Sequence, residues 1–211
     1  MTLFRVLVAV ALFSSCVPAQ DGPSHVVVTQ RAFPGKRQAL LAHVKSVAPR
    51  FVHWRDEGAI AGFQLLAGSF TDEEGWDSLA IVQLGPRGLE QWKRFDLELP
   101  TDLASTVSAP VDAIEQAAVE GSSPGDGISL VIPFDYQDSL RGAIGPAMTA
   151  LMKEGILIGY QLFAAHYPAG RSWTGLLVMR YRDWPALSVR RSLPSLPREK
   201  VAVIADSVAA R

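Results

Sequence analysis

Apolar and polar residues alternate with a period of two in several short stretches of this chain and recur at threes and fours in others, and the two periods divide it into strands and helices. His25 to Phe33 is rich in β-branched residues and ends at Pro34-Gly35, which predicts a strand closed by a turn. From Lys36 to Glu57 the residues Leu40, Leu41, Val44, Val47, Phe51 and Trp54 fall on one helical face. Gly58 supplies a left-handed stop to that helix, and Pro49 is expected to kink it or divide it in two. Ile60 to Phe70 and Asp77 to Leu84 predict a hairpin around the polar segment Thr71 to Gly75, followed by a short helix over Leu89 to Phe95. A second set has the same order: strand Ile128 to Phe134, helix Gln137 to Glu154 stopped by Gly155, hairpin strands Leu157 to Tyr167 and Thr174 to Tyr181, and a short helix from Trp184-Pro185. Between the sets, Ala109 to Glu120 reads as helical and Gly121 to Gly127 as a linker. Thr101 to Val107 and Val201 to Val208 fit either strand or helix.

The two sets are related in sequence as well as in order. Residues 57–100 align without a gap on residues 154–197 at an offset of 97, and 11 of the 44 positions are identical, among them Glu57, Gly58, Gly62, Gln64, Leu65, Trp76 and Arg94. Ordinary residue usage gives roughly three chance matches over such a length. Two copies of one supersecondary unit are therefore expected.

Strand, helix, strand, strand, helix is most of a ferredoxin-like βαββαβ unit. With the Glu-Gly-x-x-x-Gly-x-Gln lead into each hairpin, at Glu57 and at Glu154, the chain resembles the dimeric α/β-barrel superfamily, most closely its NIPSNAP-like, EthD-like and antibiotic-biosynthesis-monooxygenase-like domains. The resemblance implies an α+β fold in which two tandem ferredoxin-like units, residues 25–108 and 128–211, pack as a pseudo-dimeric α/β barrel around a linker with a short helix at 109–127. It also implies the reaction classes of that superfamily, cofactor-independent monooxygenases and isomerases among them.

The N-terminus changes the picture of where the protein works. Arg5, the apolar run Val6 to Phe13 and the small residues up to Ala19 form the grammar of a secretory signal peptide, and the run is too short to span a bilayer. Cleavage after Ala19 competes with a lipobox reading, Leu12-Phe13-Ser14-Ser15-Cys16, in which Cys16, the chain's single cysteine, is acylated. Export with cleavage after Ala19 leaves no cysteine, so the fold must stand on its hydrophobic core without a disulfide. Loss of Arg5 leaves 19 basic against 21 acidic residues without a basic stripe, which argues against nucleic acid as a partner. A homo-oligomer stays open.

Strand parity points to a candidate site. Phe63, Leu65, Tyr160 and Leu162 share the apolar parity that packs on each unit's own helices, which leaves Gln64, Leu66, Gln161 and Phe163 facing the space between the sheets. A ligand held there would meet two amides, with His166 near the mouth; the competing reading is that the glutamines tie the two halves together. Trp76 and Trp173 read as packing anchors, and Trp54, Trp92 and Trp184 as packing residues. His43 and His53 do not share a helix face and make no metal site; no metal or cofactor is expected. Haem-binding branches of the superfamily use a histidine ligand, but no matching motif surrounds His166. Glu57 and Glu154 face the negative end of a helix dipole, which predicts ion pairs to Lys93 or Arg94 and to Arg190 or Arg191, or a catalytic use; His53 is also within reach of Glu57. Three functions follow: a binding protein for a small, partly apolar molecule, a cofactor-independent enzyme, or an interaction module with a filled core.

Overall fold

A computed structural model describes residues 22–70, 75–88, 90, 92, 100–123, 125–140, 142–167, 173–189 and 202–210. The signal-peptide region with Cys16, and the basic residues Lys93, Arg94, Arg190 and Arg191, lie outside these. So does most of the short helix expected over 89–95.

Eight strands form a closed barrel: β1 (His25–Ala32), β2 (Ile60–Gly68), β3 (Ser78–Leu84), β4 (Ala104–Ala118), β5 (Ile128–Phe134), β6 (Leu157–Ala165), β7 (Gly175–Tyr181) and β8 (Val203–Ala210). Helices α1 (Arg37–Asp56), α2 (Ile144–Lys153) and α3 (Trp184–Ser188) accompany it among the described residues. Around the ring the order is β4-β1-β3-β2-β8-β5-β7-β6, the same local order twice. Every neighbouring pair is antiparallel, so β1, β2, β5 and β6 run one way and begin at one end of the barrel.

Alternation along the strands separates three apolar layers. Val27, Leu66, Ile81, Val111, Phe163 and Val178 point into the barrel and pack on one another. The opposite parity of the first half, Val26, Val28, Phe63 and Leu65, packs on Leu40 and Val44 of α1. Tyr160, Leu162 and Met179 pack on Ile144 and Met148 of α2. Trp173 belongs to the interior layer and Trp76 packs against it, both at the end opposite the starts of β1 and β2.

Several expectations need correction. Pro49 neither divides nor ends α1, which runs unbroken through it. Lys45 and Pro49 are both exposed, so the Lys45 carbonyl that Pro49 cannot bond is left to water at modest cost. The second helix starts late, at Ile144, because Gly142 adopts a positive φ of 76° that interrupts it after the short turn Asp138–Leu140. Gly58 and Gly155 do end their helices with φ of 70° each.

The helix expected over 109–120 is absent: residues 104–118 are one 15-residue strand, and only 119–127 connects it to β5. Ala113, Ala117 and Ala118 favour a helix locally, but β1 bonds the first half of β4 and β6 the second, and this pairing overrides the weak preference. A bulge between Ala113 and Glu115 shifts parity by one residue. Glu115 is thereby turned outward under α2, where its carboxylate accepts the Tyr160 hydroxyl at 2.8 Å, and Gln116 is turned into the barrel end. The last segment, 203–210, resolves the strand-or-helix alternative as strand.

Candidate functional site

Where β1, β2 and β6 begin, the packing of the lumen gives way to a cavity of about 170 Å³. Its walls carry His25, Gln64, Gln83, Gln116 and Gln161, with Ile81 and Phe63 as apolar neighbours. Register accounts for two of the contacts around it: Gln116 is the direct cross-strand partner of Gln161, and His25 that of Gln83. The expected pair Gln64 and Gln161 share one cavity. Leu66 and Phe163 lie in the packed interior and are fully buried, so they form no wall.

His25 occupies the boundary between core and cavity. Its ring stands edge-on to Phe163 with centroids 5.2 Å apart, and its Nδ1 is 2.9 Å from the Ser24 hydroxyl. Burial pushes its pKa down to about 4 against the opposing pull of the Asp112 carboxylate, so the imidazole is neutral at pH 7. A neutral imidazole can accept a proton or a hydrogen bond, and the amides can both donate and accept.

His166 stands elsewhere. Its Nδ1 is 2.7 Å from Asp112 Oδ2 and its side chain is partly exposed, while Asp112 Oδ1 accepts the Ser24 N–H at 3.2 Å. It lines none of the described cavities, but Asp112 and Ser24 connect it to His25 through hydrogen bonds. At the corresponding place in the other half the Ser69 hydroxyl, 97 residues earlier than His166, bonds Asp206 at 2.9 Å. A haem does not fit this arrangement: His166 lines none of the described cavities and the one beside His25 is too small for a porphyrin.

The barrel mouth is not symmetric. Arg180, the counterpart of Gln83 at the offset of 97, is buried and bonds the Ser123 carbonyl of the connection 119–127, which closes that side. On the other side an open apolar groove of about 540 Å³ runs along α1 past Val52, Val208 and Ala209, and Phe63 borders both groove and cavity. A smaller void of about 60 Å³ lies between α1 and the outer face of the barrel, where Ser78 donates to Gln30 at 2.7 Å and Trp92 closes one side. Among the described residues no group of three or more His, Cys, Asp or Glu is placed to hold a metal, and no helix is long and apolar enough to cross a membrane. Glu57 is 3.2 Å from His53 Nε2; its other expected partners lie outside the described residues.

Sequence reasoning missed His25, Gln83 and Gln116. Parity could have found two of them, since His25 shares a face with Val27 and Gln83 with Leu79 and Ile81. Gln116 was hidden by the helical reading of 109–120.

No protein-family model and no curated protein sequence matches the chain. Solved structures do. An anthrone oxidase-like protein superposes with a TM-score of 0.61 at 14% identity, over 89% of this chain and 91% of its own. A monooxygenase-like protein of Lactobacillus acidophilus gives 0.61 at 11% identity, over 90% and 96%. A chlorite dismutase-like protein gives 0.53 at 12% identity, over 88% and 94%. The chain shares their fold, an antiparallel α+β barrel compatible with the dimeric α/β-barrel superfamily.

Proposed function

We propose that this protein binds a small, partly apolar molecule whose polar end enters the cavity at the barrel end and whose apolar body lies along the groove beside Phe63. The observation that supports this is the convergence of Gln64, Gln83, Gln116 and Gln161 with a neutral His25 on one space. Each amide can both donate and accept hydrogen bonds, and a cavity lined by several of them is suited to a neutral polar group. A ligand found by thermal-shift screening tests the reading: Gln161→Leu should abolish its stabilising effect while the ligand-free protein keeps its melting temperature. A melting temperature lowered by Gln161→Leu, with no ligand effect in either form, would favour glutamines that only tie the halves together.

A second reading takes the site as catalytic. It is favoured by the names of the structures that share the fold, an anthrone oxidase-like protein and a monooxygenase-like protein, and by the place of His25 on the cavity wall. The neutral imidazole would take a proton from an acidic C–H group, the carbanion would form a C–O bond to dioxygen, and the peroxide, reprotonated by the imidazolium, would lose water to leave a carbonyl, with no cofactor. Oxygen uptake with anthrone-type substrates, lost in His25→Phe, tests it.

The repeated strand order, taken with the offset of 97, supports a tandem pseudo-dimer of ferredoxin-like units as the origin of the barrel. The first 19 residues support export, either as a cleaved leader or with Cys16 as a lipid anchor to the cell envelope. Intact-mass measurement of the envelope fraction separates these outcomes, and a cytoplasmic species retaining Met1 would contradict both.

A further inference from the structure

The hairpins β2–β3 and β6–β7 are built to one plan, and their difference is chemical. Each carries a bulge before a glycine, between Ile60 and Gly62 in one and between Leu157 and Gly159 in the other. In each, that glycine faces the same position on the next strand: Gly62 faces Gln83 and Gly159 faces Arg180. Both pairs are related by the offset of 97.

Beside Gly159 the space is filled. The Arg180 guanidinium lies so close that a Cβ on Gly159 would collide with it, and it donates to the Ser123 carbonyl. Beside Gly62 the partner is the shorter Gln83, which is exposed, and both residues line the cavity. One half of the barrel mouth is thus occupied by a planar group carried on the protein's own chain, while on the matching half the described residues Gln64, Gln116 and Gln161 edge a cavity.

We infer that the space beside Gly62 is a subsite for a planar N–C–N group of urea or guanidine type, held there as the Arg180 guanidinium is held beside Gly159. The amides offer such a group both acceptors for its N–H edge and donors for a carbonyl. Among the described residues no carboxylate lines the cavity, whereas Arg180 has Asp126 acting on its charge. A neutral urea-type group is therefore preferred over a guanidinium, which would leave water without a counter-ion.

The inference rests on the cavity being a ligand site, and the probes are chosen to separate the two claims. N-methylurea and methylguanidinium are titrated into the ¹⁵N-labelled mature protein while the side-chain amide resonances of Gln64, Gln83, Gln116 and Gln161 are followed. Saturable shifts are expected, larger with N-methylurea at equal concentration. Gln83→Arg places on the first hairpin the side chain that fills the second, and should weaken probe binding by about tenfold or more, equivalent to about 1.4 kcal/mol. If that variant does not fold, Gln116→Leu, at an exposed strand position, should weaken it by removing one amide. Amides unmoved by both probes, or binding unchanged in the variants, overturn the inference. If a larger ligand nevertheless occupies the cavity, only the urea-type subsite is lost and the binding reading stands.

Discussion

His25 and Phe163 meet edge to face, their ring centroids 5.2 Å apart, at the level where the packed lumen opens into the cavity. The contact places an ionisable group against an aromatic wall, and the consequence is read in acid. Folding lowers the pKa of His25 from 6.5 to about 4, so the unfolded chain takes up its proton first as pH falls. Stability from this group is fully present above pH 6.5 and is lost between there and pH 4. The loss amounts to about 3 kcal/mol for this single site. Urea unfolding at pH 7.5 and 4.5 should show it, and His25→Gln should flatten the slope in that window; an unchanged slope would show that other groups govern acid sensitivity.

Tyr160 and Glu115 carry the bulge of β4. The Tyr160 hydroxyl donates to Glu115 at 2.8 Å, and burial together with that carboxylate keeps the phenol protonated well above its ordinary range. Tyr160→Phe should cost about 1 to 2 kcal/mol, because the carboxylate under α2 loses its donor. Denaturant midpoints measure this, and a neutral result would mean that water replaces the hydroxyl.

Asp77 holds the other end of the first half. Its carboxylate accepts the Ala32 N–H and the Arg37 Nε–H, both at 2.8 Å, and Arg37 in turn bonds the Gly68 carbonyl. Asp77→Ala strands both donors and should cost roughly 2 to 4 kcal/mol, well above the effect of an exposed ion pair. A loss below that of Arg182→Ala, whose pair with Asp183 is largely exposed, would contradict the clamp.

Gly159→Ala should destabilise by about 2 kcal/mol, since the added methyl meets the Arg180 guanidinium and stands 3.0 Å from the Ala117 carbonyl oxygen. The backbone neighbour cannot swing aside. Because Arg180 ties down the connection at Ser123, hydrogen exchange over 119–123 should also accelerate. Protection unchanged in that segment would show that the tie is dispensable.

Much of the barrel was legible because its strands alternate over the stretches between their bulges. Gln64 and Gln161 fall on the lumen side and Phe63, Leu65, Tyr160 and Leu162 on the helix side, as period two dictates. Where the reading failed, long-range pairing decided the outcome. Residues 109–118 contain Pro110 and several alanines, and nothing local announces that two strands distant in sequence will bond them on either side. The bulge at 113–115 was invisible for the same reason, and with it the position of Gln116. Leu66 and Phe163 were placed on the correct face at the wrong depth, since parity tells which way a side chain points and not how far along the barrel the filling extends.

Trp76 and Trp173 give the lumen a floor. The barrel is in effect a cup with one rim, and half of that rim is already stoppered by Arg180 and the strap it holds. A molecule seated beside Gly62 would lie under the rim that Gln83 and Gln116 edge. Were chemistry to take place inside, the departing product would obstruct the next arrival, and turnover would answer to the rate of emptying before it answered to the rate of reaction.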